Sequence, residues 1–158
     1  MQELSAILWR ERELLGMLLY KLEQEQLVLA SGKTRWLGTA ASEVETVLGL
    51  IHQTEVLRAI SVDEVARSLG MAPNPGLSDL AQHAGEPWAS ILLDHRDVFL
   101  SYTRQITEMA GANRDLLTTG ARAAREMLLS VTDGSQTYSP DGSAVAAGPG
   151  RRLVDRII

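Results

Sequence analysis

Apolar residues recur along this chain with the period of helices. Leu4, Leu8, Leu15, Leu18, Leu22 and Leu29 form a heptad series over residues 2–30, interrupted only by Glu11 and Glu25, and predict one helix of about eight turns. Ile7, Leu14, Leu19 and Tyr20 widen the stripe beyond a two-stranded seam, as a bundle of three or more helices requires. Ser31-Gly32 supplies a C-terminal stop. A second helix, from about residue 34 to 59, carries Leu37, Ala40, Val44, Val47 and Ile51 on one side and should form an antiparallel hairpin with the first. Gly38 and Gly49 lie inside it, at about 1 kcal/mol each against alanine, a cost tolerable where a neighbouring backbone packs closely.

Ser61-Val62-Asp63-Glu64 reads as a capping box that restarts helix geometry, opening a short piece that ends at Leu69-Gly70. After the linker Met71-Ala72-Pro73-Asn74-Pro75-Gly76, a second short piece begins with Leu77-Ser78-Asp79-Leu80-Ala81. The two make a helical corner. Glu86-Pro87-Trp88 then places proline where a first turn accepts it. Leu92, Phe99, Tyr102, Ile106, Met109, Leu116 and Met127 carry a third helix of about 45 residues, roughly 68 Å long, to about Thr132. Such a length implies a rod with one end less covered. From Asp133 onward Gly, Ser and Pro dominate and predict a flexible tail, although Leu153, Val154, Ile157 and Ile158 give its end apolar residues suited to docking. The expected fold is all-α, an antiparallel bundle of three long helices over residues 1–132 with a two-piece corner between the second and third, and a tail over 133–158.

Composition narrows the chemistry. Among 158 residues there is no cysteine, which removes disulfides, thiolate nucleophiles, iron-sulfur clusters and zinc sites built on Cys. Fifteen Lys and Arg stand against 20 Asp and Glu, the wrong sign for a nucleic-acid binder that relies on a basic face. The N-terminus has no cationic leader and no apolar run approaches a membrane span, so a cytoplasmic protein without membrane insertion is expected. His52, His83 and His95 share no metal-ligand spacing; at Asp94-His95-Arg96-Asp97 the favoured reading is a solvated face with His95 partly buried beside Phe99. No nucleophile elbow or dinucleotide loop occurs. No catalytic residue, metal or cofactor is expected, and the chain is not read as an enzyme. Val62–Met71 mimics the first helix and turn of a helix-turn-helix, but Leu77–His83 carries no Lys or Arg to contact DNA.

The remaining signal is the third helix. Phe99, Ile106 and Asn113 recur at sevens, with Tyr102, Met109 and Leu116 three residues after each. That stripe exceeds what a hairpin covers along its whole length and could receive an amphipathic partner helix. Its competing reading is bundle core.

The order of parts resembles the FlgN family of flagellar export chaperones. The resemblance rests on Glu11-Arg12-Glu13-Leu14-Leu15 and Lys21-Leu22-Glu23, then Val65-Ala66-Arg67-Ser68-Leu69-Gly70-Met71, Leu77-Ser78-Asp79-Leu80-Ala81 and Glu86-Pro87-Trp88. It continues through Ala112-Asn113-Arg114-Asp115-Leu116-Leu117 and Gly120 to Tyr138-Ser139-Pro140-Asp141-Gly142 and Arg152-Leu153-Val154-Asp155-Arg156. It implies a cytoplasmic, non-enzymatic type III secretion chaperone. Such a protein binds the C-terminal helices of hook-associated (hook-filament junction) proteins, keeps them unpolymerised and brings them to the flagellar export gate. On that reading Phe99, Tyr102, Ile106, Met109 and Leu116 receive the client, while Tyr138 and Gly142 of the tail contact client or gate. A self-assembling coiled-coil scaffold is the alternative, with a helix-turn-helix regulator third. Weak self-association is left open.

Overall fold

A computed structural model describes residues 1–135, with side chains through Val131. Helix accounts for 88% of them and no strand occurs among them. The elements are α1 (Gln2–Ala30), a single 3-10 turn (Thr34–Trp36), α2 (Leu37–Ser68), α3 (Leu77–His83) and α4 (Trp88–Ser135). The chain divides into two compact units, Met1–Leu116 and Leu117–Ile158.

Helix ends follow the punctuation of the sequence. Gly32 and Gly70 both adopt positive φ, 67° and 69°, where a Cβ would be strained. Past α2 the chain turns back through bonds from the Gly70 N–H to the Arg67 carbonyl and from the Met71 N–H to the Ala66 carbonyl, which occupy carbonyls left open by the helix end. The Asp79 carboxylate accepts a bond from the Gly76 N–H at 3.2 Å and so fastens the start of α3.

The expected restart at Ser61 does not occur. α2 runs without a break to Ser68, and Ser61 is a buried position within it. A capping box requires a non-helical N-cap residue, whereas nothing between Ala59 and Ser61 interrupts the backbone ladder. The corner therefore holds one separate helical piece, α3. Gly38 and Gly49 are a second correction: a Cβ at either would meet nothing within 4 Å, so no close backbone accounts for them.

Within Met1–Leu116 the order of cross-helix contacts gives direction. Lys21 pairs with Glu43 at 2.8 Å and Glu11 with Arg58 at 2.9 Å, so α1 and α2 run antiparallel. Arg12 pairs with Asp94 at 2.8 Å and the Asn113 side-chain amide donates to the Leu22 carbonyl at 2.9 Å, so α4 here runs with α1. Two apolar clusters fill the space. One joins Leu4 and Leu8 to Val62, Val65, Leu80, Ala81 and Leu92; the other joins Leu14, Leu18 and Leu22 to Val47 and Ile51. Burying side chains of this size contributes about 1.5 to 3 kcal/mol each relative to exposure.

At both interruptions of the α1 heptad a polar contact also crosses between helices. Glu11 sits between the clusters, 4% exposed, and Arg58 holds one of its oxygens. Glu25 accepts a bond from the Asn113 amide at 2.9 Å. Burial raises the Glu11 pKa above its ordinary 4.5; Arg58 opposes this and Glu55 adds to it.

Within the second unit, the α4 residues described show Leu117, Met127 and Val131 each more than a third exposed. Leu153, Val154, Ile157 and Ile158, like the rest of the expected tail beyond Ser135, lie outside the described residues.

Candidate functional site

Helical periodicity splits the α4 stripe into two rows, and α1 treats them differently. Phe99, Ile106 and Asn113 form the inner row. Phe99 packs against the first cluster and Ile106 against the second, while Asn113 is 2% exposed. The Asn113 amide is committed to Leu22 and Glu25 of α1, as a polar residue at a seam position that sets register is.

Tyr102 and Met109 of the outer row lie along the edge where α4 meets α1, and Leu116 continues the row at the same spacing of seven. The Tyr102 ring stands over Gly16, where a Cβ would lie 3.1 Å from the Tyr102 hydroxyl; the missing side chain makes room for the ring. Met109 packs against the second cluster and also lines an open groove of about 360 Å³ with Leu19 and Ala112. Glu23 and Gln26 of α1 form one wall of that groove, and Gln105 and Glu108 of α4 form the other. Leu116 is 39% exposed. Of the five residues expected from the sequence, Phe99 and Ile106 thus lie on the seam and Tyr102 and Met109 along its open edge, while Leu116 is an exposed residue one heptad further along α4. Tyr138 and Gly142 lie outside the described residues.

The groove walls supplied by α1 were not legible in advance. Leu19, Glu23 and Gln26 are spaced at i, i+4 and i+7, as a helix face is, but a single-helix pattern does not say which face of α1 meets α4.

Phe99 also borders a separate hollow of about 410 Å³ between α3 and α4, shared with Leu77, Leu100 and Arg96. Another, about 390 Å³, lies between α2 and the linker, lined by Arg58, Val62, Asn74 and Leu77 among others.

His95 corrects an expectation. It is fully buried, at 0% exposed, where partial burial was expected; Phe99 lies beside it as expected, tilted at 5.9 Å, and Trp9 stands edge-on at 4.9 Å. Neither ring nitrogen has a hydrogen-bond partner among the described residues. Burial lowers its pKa below the ordinary 6.5, and Arg12 lowers it further against the opposing pull of Asp94. The ring fills space between α1 and α4 as a neutral aromatic. Among the described residues no group of three or more His, Asp or Glu could hold a metal ion, and no helix is long and apolar enough to cross a membrane. Val62–Leu69 belongs to the end of α2 and its cap, so the helix-turn-helix mimicry lacks its independent first helix.

No curated protein and no solved structure matches the chain. A family model described as FlgN protein matches residues 1–146.

Proposed function

The chain belongs to the FlgN family, and from that premise we propose that it is a cytoplasmic flagellar export chaperone. It takes the C-terminal helical segment of a hook-associated protein, holds that protein unpolymerised and delivers it to the type III export gate. α1, α2 and α4 up to Leu116 serve as an antiparallel three-helix bundle, a reading supported by the contact order of Lys21, Glu11, Arg12 and Asn113 with their partners. Residues 1–132 form the chaperone domain, and 133–158 the tail whose Tyr138 and Gly142 meet client or gate.

The observation that carries this reading is the open edge between α1 and α4. Tyr102 and Met109 lie along it, Leu116 continues their spacing of seven, and the groove beside Met109 has an apolar lining of Leu19 and Ala112. An amphipathic client helix would lay anchors at i, i+3, i+4 and i+7 against such a row. Phe99 and Ile106 take the smaller share, since each presents only the edge that its cluster leaves uncovered. Ordering the client segment on binding offsets part of the burial, so affinity is modest per unit area and release is easy.

The test is co-purification. The chaperone reading expects a one-to-one complex with a hook-associated protein that is lost when the partner's C-terminal segment is deleted. Large homo-oligomers that ignore that protein would favour the scaffold reading.

A further inference from the structure

The groove between α1 and α4 has a charge as well as a shape, and the charge describes its occupant. Glu23 projects from one wall and Glu108 from the other; both are exposed. Neither belongs to an ion pair among the described residues, in contrast to Glu11, Glu43 and Asp94, which are each matched by a cation across helices. The nearest cation in sequence to Glu108, Arg104 one turn before it, is not ion-paired with it, and Lys21 is held on the α2 side of α1 by Glu43. The remaining polar groups of the walls, Gln26 and Gln105, are neutral. Two carboxylates without an ion pair among the described residues therefore line one groove, one from each helix, together with Leu19, Met109 and Ala112.

We infer that this groove selects a partner helix whose apolar anchor is flanked on both sides by Lys or Arg, each reaching one carboxylate wall. The inference rests on the proposed function and adds the chemistry of the client segment. An anionic or neutral amphipathic helix buries the same apolar surface but leaves both carboxylates facing like charge or none, so discrimination is electrostatic. The pairs form at an exposed rim, where salt screens them. Binding at low ionic strength and release as screening rises follow from the same geometry.

The experiment uses the full chain and two synthetic helices of about 18 residues with leucines at i, i+3, i+4 and i+7, one flanked by lysines and the other by glutamates. Affinities are measured by fluorescence anisotropy in 0.05 and 0.5 M NaCl for the native chain, Glu23→Gln/Glu108→Gln and Leu116→Asp. The cationic helix should bind the native chain about five to ten times more tightly than the anionic one. The double glutamine variant and high salt should each remove most of that preference, and Leu116→Asp, which removes an apolar anchor but adds a carboxylate, should weaken the anionic helix strongly and the cationic one less. Equal affinities, a preference that survives the double substitution, or no binding of the cationic helix overturns the charge selection. Indifference of both helices and of the hook-associated client to Leu116→Asp overturns the placement of the client on this edge instead.

Discussion

The Arg58 guanidinium of α2 lies 2.9 Å from a carboxylate oxygen of Glu11 on α1, and that pair occupies the level between the two apolar clusters. Glu11 stands at a heptad position where leucine would have continued the seam. Its second oxygen has no partner among the described residues, so the pair carries a desolvation cost that a hydrophobic layer would avoid.

Arg58→Ala leaves a buried carboxylate uncompensated. We expect a loss of about 2 to 4 kcal/mol, below the full cost of breaking a deeply buried pair because the guanidinium is partly solvated. Glu11→Leu/Arg58→Met should come close to the native stability. Urea unfolding with unchanged m-values reads both; equal losses for the single and double variants would show that the pair has no such cost.

Acid should weaken the fold through His95. Its pKa in the folded chain lies below the ordinary 6.5, so the unfolded chain binds more protons as pH drops past that value. The contribution is fully present above pH 6.5 and is lost as pH falls through the folded pKa. Glu11 acts in the opposite sense: its raised pKa makes the folded chain protonate first, and stability is regained between that value and 4.5. Thermal melts from pH 8 to 4 should show the His95 decline, and His95→Phe, which preserves the aromatic contacts, should remove it. A decline that persists in His95→Phe belongs to another group.

Gly49→Ala should stabilise the protein. Gly49 is helical, and a methyl there meets nothing within 4 Å, so the gain is the helix propensity difference of about 0.5 to 1 kcal/mol. Gly38→Ala should behave alike. A fall in melting temperature for either would mean that a partner or a second copy occupies that face.

The two rows of α4 should separate under alanine substitution. Ile106→Ala removes a side chain packed on the second cluster and should cost about 2 to 3 kcal/mol, with little effect on client binding once folded. Leu116→Ala should cost under about 1 kcal/mol and weaken client binding several-fold. Tyr102→Ala and Met109→Ala should do some of each. Uniformly large stability losses with unchanged client affinity would place the client elsewhere.

The period of leucines and the placement of Gly and Pro determined that this chain is helical, where α1 stops, and that α4 is very long, because those properties rest on local backbone geometry and on one-dimensional spacing. They also marked Glu11 and Glu25 as breaks in a heptad without revealing Arg58 and Asn113 as their partners, since pairing across helices depends on register in three dimensions. Ser61 shows the limit of local signals: the residues for a capping box are present, yet burial of Val62 and Val65 in one cluster with Leu4 and Leu8 of α1 and Leu80 of α3 keeps the helix running. Even the α1 core series is decided by packing, for Leu14 is buried and Leu15 only partly, as a helix with 3.6 residues per turn drifts against a strict heptad. The division of the α4 stripe into an inner row and an open edge came from the tertiary structure alone, because only the position of α1 against α4 determines which half of a continuous apolar face is covered.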